Sequence, residues 1–248
     1  MKNLLLLFIG TIIIWSCNRN ESRIVYNESD KNIQTQDNTN PENKIFKKLI
    51  ADLPFTFDNL DFLYFPIGEI KESSKTKIRS LSSSYSNSSR SYSLGYISGR
   101  EVNSNLDNIM IRPKNGSTFK LLTRSEIKIK SLNYLYSIDT THNISTFLYK
   151  IIDSDSNKDG IINDDDLIGL YSSKSDGDEF TRISPKNQQL IDWKTIDVQG
   201  LLYFRTIEDT DKNGKFNAHD RVNLYEYNLL KKDFVKLIFN NNIYKEFK

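Results

Sequence analysis

The chain has 248 residues, 38% of them hydrophobic and 12% aromatic, enough for one large all-β domain or two small ones with a core of their own. Its formal net charge is +2, too close to neutrality to suggest a nucleic-acid partner. A single cysteine, Cys17, excludes a disulfide framework within the chain.

Residues 1–16 read as a signal peptide. Lys2 supplies a positive start, and Leu4 to Ile14 form an apolar run of eleven residues. That run is too short to span a bilayer comfortably and has the length of a signal-peptide core. It ends at Ile14-Trp15-Ser16-Cys17, which resembles a lipobox, although Trp15 stands where a small residue is usual. The resemblance implies lipidation of Cys17, with the membrane as partner and the cell envelope, outer membrane expected, as location. Each buried acyl methylene contributes roughly 0.8 kcal/mol, so two or more chains anchor stably. Residues 17–43 are polar, as in Gln34-Thr35-Gln36-Asp37-Asn38, and read as a flexible tether. No acidic run follows Cys17, so the membrane face is left open.

Residues 44–248 read as a β-rich repeat domain. Ile45, Phe46, Leu49, Ile50 and Leu53 fall at helical spacing within Pro41 to Leu53 and predict a short amphipathic helix ending before Pro54. Residues 73–93 hold eleven serines and few apolar residues, and read as a loop.

From there the chain repeats itself. An offset of fifty-four maps Phe147-Leu148-Tyr149 onto Leu201-Leu202-Tyr203, Gly160 onto Gly214, Asp166 onto Asp220, Leu170-Tyr171 onto Leu224-Tyr225, and Phe180 onto Phe234. An offset of sixty-one maps a weaker copy, Gly116, Phe119 and Leu122, onto Gly177, Phe180 and Ile183. The central unit reads as four strands, Ile168 to Ser173, Phe180 to Ser184, Leu190 to Ile196 and Leu201 to Thr206, with Pro185-Lys186-Asn187 as a turn between the second and third. Four-stranded antiparallel meanders arranged side by side predict an all-β, propeller-like array, with a β-sandwich as the alternative. Cut this way, the last unit lacks its fourth strand, which Phe62 to Phe65 or Tyr92 to Ser98 would supply.

The run from Leu170-Tyr171 to Trp193, a Gly turn followed by Phe180, Ile183-Ser184-Pro185 and Ile191 before the tryptophan, resembles the blades of TolB-like β-propellers. With the lipobox and the loops below, the pattern over residues 106–248 also looks like a group of flavobacterial-type envelope lipoproteins of unassigned function.

The first loop, residues 155–166, places Asp155, Asn157, Asp159, Asn163 and Asp166 at positions 1, 3, 5, 9 and 12, with Gly160 at position 6 and the carbonyl of Ile161 at position 7. The second, residues 209–220, repeats the scheme with Asp209, Asp211, Asn213, Asn217 and Asp220, Gly214 at position 6 and the carbonyl of Lys215 at position 7. A hard cation such as Ca2+ needs six or seven oxygens, and a sharp turn at position 6 needs positive φ. Ile162 and Phe216 at position 8 are expected to pack inward. The bland alternative is an Asp/Asn/Gly-rich turn that binds nothing. Two features depart from a helix–loop–helix calcium sensor: position 12 is Asp rather than Glu, and the flanks are β-formers. The loops are therefore expected to connect successive β-units, with calcium clamping one unit to the next.

No Gly-x-Ser-x-Gly elbow, phosphate-binding glycine loop or zinc-spaced His/Cys set appears. The two histidines, His142 and His219, read as surface residues; Trp193, Tyr149 and Tyr203 read as core. The expectation is a calcium-binding envelope lipoprotein acting as a binding or scaffolding module, not an enzyme, with a protein or glycan ligand. A purely structural component, or a carbohydrate- or peptide-active hydrolase of unfamiliar type, are the alternatives. An aromatic-lined concavity would favour binding; two close carboxylates outside the loops would favour hydrolysis.

Overall fold

The computed structural model describes residues 23–24, 48–70 and 94–237. Residues 1–16, Cys17, nearly all of the tether and the serine-rich stretch 73–93 lie outside them. Among the described residues no helix is long and apolar enough to cross a membrane.

The fold is all-β: the described residues form three antiparallel sheets, with one short helix. The first sheet holds β1 (Lys48–Ala51), β2 (Phe62–Ile70), β5 (Asn108–Pro113) and β6 (Lys120–Leu121) in that order. The second holds β7 (Lys128–Tyr134), β8 (Thr146–Ile152), β9 (Ile168–Lys174) and β10 (Thr181–Arg182). A hairpin of β3 (Gly95–Ser98) and β4 (Glu101–Leu106) adds to it along β7. The third holds β11 (Gln188–Ile196), β12 (Leu201–Glu208), β13 (Arg221–Asn228) and β14 (Asp233–Leu237).

The sheets stack face to face as blades. One core, with Tyr64, Ile109 and Ile111 from the first sheet and Phe147, Tyr149 and Ile151 from the second, fills the first interface. Another, with Leu148 and Leu170 against Leu202, Phe204 and Tyr225, fills the second interface. The middle sheet is covered on both faces, so β8 reads as the continuous apolar run Phe147-Leu148-Tyr149 broken only by Lys150. Among the described residues the third sheet is covered on one face only. On β12, Leu202, Phe204 and Thr206 point inward while Arg205 is exposed, the period-two alternation of a half-buried strand.

The repeat is real, but the boundary between units lies elsewhere than the turn signals suggest. The blades run β7–β10 and β11–β14, so the four strands grouped from Ile168 to Thr206 are split between two sheets. Pro185-Lys186-Asn187 is the crossover between sheets rather than a turn within one. Pro185 has no N–H to continue a ladder, and Asn187 turns the chain with φ +59°. With this boundary the last blade has all four of its strands. Phe62 to Phe65 belongs to the first sheet and Gly95–Ser98 to the edge of the second. The weaker copy fits the same frame: the offset of sixty-one carries β5 onto β9 and β6 onto β10.

The helix expected within Pro41 to Leu53 is not formed where that segment is described. Lys48–Ala51 is a strand paired with β2, from Lys48↔Ile70 to Ala51↔Ile67. Leu49 and Leu53 are exposed, so these two positions of the helical stripe have nothing to pack against among the described residues. A helix this short is marginal without such packing, and the open edge of β2 offers backbone partners instead.

The helix that does form, α1 (Tyr136–His142), links β7 to β8. A 3-10 turn, Asp197–Gln199, takes the same place between β11 and β12. The two meet where His142 Nε2 lies 2.8 Å from the Asp197 carbonyl oxygen, so His142 joins neighbouring blades.

Candidate metal centres

Both acidic loops are hairpin connections inside one sheet. The first joins β8 to β9, which pair directly from Ile152↔Ile168; the second joins β12 to β13, which pair from Glu208↔Arg221. This corrects the expectation that they link successive units. In an antiparallel meander the connection between neighbouring strands returns within the same sheet, and here it falls between the two central strands of each blade.

Each loop is built by side chains accepting hydrogen bonds from its own backbone, position for position. The position-1 carboxylate accepts from the position-6 amide: Gly160 N to Asp155 Oδ2 and Gly214 N to Asp209 Oδ2, both 2.7 Å. Position 3 accepts from position 5, Asp159 N to Asn157 Oδ1 at 3.0 Å and Asn213 N to Asp211 Oδ1 at 3.1 Å. Position 5 accepts from position 7, Ile161 N to Asp159 Oδ1 at 2.8 Å and Lys215 N to Asn213 Oδ1 at 2.7 Å. Position 9 accepts from position 11, Asp165 N to Asn163 Oδ1 at 2.7 Å and His219 N to Asn217 Oδ1 at 2.8 Å. Gly160 and Gly214 have φ of +86° and +79°, the left-handed geometry that position 6 requires.

The aspartates at position 12 close the loops. Asp166, fully buried, accepts from Ser156 N at 2.6 Å and Asn163 N at 3.0 Å, one on each oxygen. Asp220 accepts from Thr210 N at 2.9 Å and Asn217 N at 2.8 Å. The shorter side chain thus cross-braces positions 2 and 9. Ile162 and Phe216 are half-buried, partway to the inward packing expected of position 8.

The loops differ in how far their charges converge. In the second, Asp209, Asp211 and Asp220 each bring a carboxylate oxygen within 4.8 Å of the others. Three oxygens that close, beside a positive-φ turn, suit a hard divalent cation. In the first, position 3 is Asn157, and the amides of Asn157 and Asn163 donate to Asp159 Oδ2 at 3.2 and 3.4 Å. The donors fit the same class of ion, with one carboxylate moved from position 3 to position 5. His219 is exposed, as expected.

Two features were invisible in the sequence. Asp153, just before the first loop, takes both its oxygens to Arg182 Nη1 at 2.8 Å and accepts from the Tyr171 hydroxyl. Burial pushes the Asp153 carboxyl up, but Tyr171 and the Arg182 guanidinium outweigh it and hold it below the usual carboxylate range. Burial, then the bond to Asp153, pushes the Tyr171 phenol up. Asp153 and Arg182 line a cleft of about 420 Å³ beside Asp155 and Lys158. The other feature is Arg23, which touches both loops. Nothing local in the polar tether signals a partner more than 130 residues away.

A larger cleft, about 670 Å³, has Phe57, Tyr134, Tyr136, Arg100, Asp58 and Asn59 in its lining. It sits by the end of β7, where Tyr134 pairs with Phe147, whereas the first calcium-type loop leaves β8 from its other end. Arg100 lies over the Tyr136 ring, 3.4 Å from the centroid. Tyr149 is core, as expected, but Tyr203 faces outward with its hydroxyl donating to Glu226 at 2.5 Å. Trp193 packs against the second core while half-buried.

No family model and no curated protein matches the chain. A solved structure from Agrobacterium tumefaciens assigned as a TolB protein matches over 76% of this chain and 80% of that one, at 11% identity and a TM-score of 0.23. So low a score carries no argument about function.

Proposed function

We propose that this protein is a calcium-stabilised, lipid-anchored module of the cell envelope that binds a protein or glycan ligand. Support for calcium comes from one observation above all: two hairpins in separate blades share the same internal hydrogen bonds, and in one of them three carboxylates converge. Carboxylates so close repel one another, so a bound Ca2+ adds its binding energy to folding. The ion braces each hairpin within its own blade. Cys17 carries the lipid in this reading, and the outer membrane is its site.

Binding is favoured over a purely structural role by the aromatic-lined cleft of Phe57, Tyr134 and Tyr136. That cleft has one carboxylate among its described lining residues, Asp58, whereas two-carboxylate glycoside hydrolysis needs a pair. The reading is therefore a binding module rather than a hydrolase.

Titration calorimetry and thermal melts on the delipidated chain test the calcium step. With free Ca2+ tenfold above Kd, each filled site adds about 1.4 kcal/mol, which raises Tm by about 3–6 °C for a domain of this size. Asp209→Ala is expected to abolish the second site's share. A flat calorimetric trace at millimolar Ca2+, with a melt unmoved by chelator, would refute the proposal.

A further inference from the structure

The two loops lie in different blades, yet one residue holds both. The Arg23 amide donates to the carbonyl of Gly214, in the second loop, at 2.8 Å. The Arg23 carbonyl accepts from Ser156 Oγ, in the first loop, at 2.7 Å. Its guanidinium reaches the carbonyls of Asp166 at 2.9 Å and Asp164 at 3.3 Å through Nη2. The contact to the Asp165 carbonyl, 3.5 Å from Nε, is weak. Ile24, the next residue, is 5% exposed.

These partners are the parts of each loop that a cation would order. Gly214 makes the position-6 turn. Asp164 to Asp166 carry the carbonyls at positions 10–12. Ser156 Oγ also approaches Asp166 Oδ1 at 3.1 Å and accepts from Leu167 N at 3.0 Å. Arg23 can meet all of them at once only when both loops are closed.

We infer that Arg23 is a positioning residue shared by the two calcium loops, so that filling one loop favours filling the other and docks the anchor-side segment on the body. The inference rests on the calcium reading above. Arg23 lies six positions after Cys17, a reach of at most about 20 Å. Docking therefore places the loop end of the body near any lipid carried on Cys17.

The sign of the coupling has to survive the charge of Arg23 itself. The first loop, residues 155–166, has five aspartates against one lysine, a formal charge of −4. One Ca2+ leaves it at −2, so the guanidinium still faces a negative loop. Ordering of the gripped carbonyls then decides the direction, and it favours binding. Two sites that each pre-order a shared neighbour are coupled positively and reciprocally.

Calcium titration and amide hydrogen exchange on the full chain test this. In the unmodified protein, exchange at the Arg23 and Ile24 amides is expected to slow on adding Ca2+. Disabling the first loop with Asp155→Ala and Asp159→Ala should weaken calcium binding at the second by about fivefold or more. Arg23→Ala removes the guanidinium's grip on the first loop but keeps the backbone bonds to Gly214 and Ser156, so in that background disabling the first loop should weaken the second site by a clearly smaller factor. Calcium binding at both loops with no coupling, or exchange that does not slow, overturns this inference alone. Absence of calcium binding at both overturns it together with the calcium reading. The exchange measurement needs no variant, so it stands even where a substituted loop fails to fold.

Discussion

Two glycines show how the same backbone demand arises from different causes. Gly160, at position 6 of the first loop, has φ +86° and nothing within 4 Å of where a Cβ would sit. Gly177, in the β9–β10 turn, has φ +80°, but an added Cβ there would lie 2.6 Å from Ile111 Cδ1 in the neighbouring sheet. Gly160→Ala should therefore cost only the left-handed backbone penalty, about 1–2 kcal/mol. Gly177→Ala should cost more, because it also overpacks a blade interface, by typically about 1–3 kcal/mol. Urea denaturation of the two variants checks the order; equal losses would show that the interface yields freely. The glycine of a calcium-type loop was legible from its spacing. The crowding at Gly177 was not, because Ile111 is distant in sequence.

At the scale of elements, the ion pair of Asp153 and Arg182 fastens the start of the first loop to β10. Arg182 Nε and Nη2 also donate to the carbonyls of Ser184 and Pro185, at 3.1 Å each, where the chain leaves the second sheet for the third. The side chains are 19% and 12% exposed, so removing one partner leaves the other poorly solvated, a loss of about 3 kcal/mol. The Asp153 carboxyl titrates below its ordinary range in the folded state. Its contribution is thus present above the unfolded pKa, near 3.9, and is lost as pH falls through the lower folded value. Asp153→Asn should destabilise the protein at neutral pH and flatten its loss of stability below about pH 4. Parallel stability curves for the two proteins between pH 2 and 7 would exclude this role. At this scale the strands themselves were largely legible: Ile168–Lys174, Gln188–Ile196 and Leu201–Glu208 lie within two residues of the runs read from sequence. Their grouping was not, because a turn and a crossover both use Pro, Asn and Gly. The strand Lys48–Ala51 was misread because its spacing suits a helix and its partner, β2, begins eleven residues further on.

For the whole molecule, the order of the blades decides what equivalent residues do. Phe147 and Leu201 are equivalent under the fifty-four-residue offset, yet Phe147 is fully buried between the first and second sheets. Leu201 lies on the outward face of the third, which no further described blade covers. Phe147→Ala should cost about 3–5 kcal/mol. Leu201→Ala should cost less than about 1.5 kcal/mol, since a half-buried leucine has less apolar area to lose. Chemical denaturation of both variants settles it; similar losses would mean that the third sheet's outer face is covered. The outward turn of Tyr203, beside the buried Tyr149, has the same cause.

Sequence alone determined the all-β character, the repeat and the chemistry of the two loops, because these depend on residues a few positions apart: alternation along a strand, glycine at a turn, oxygens at fixed spacing. Tertiary structure alone decided where one blade ends and the next begins, which face of each strand is dry, and that Arg23 lies between the loops. Those depend on contacts between residues from tens to more than a hundred positions apart, and such contacts are chosen by which exposed edges and faces remain to be covered once the local elements exist.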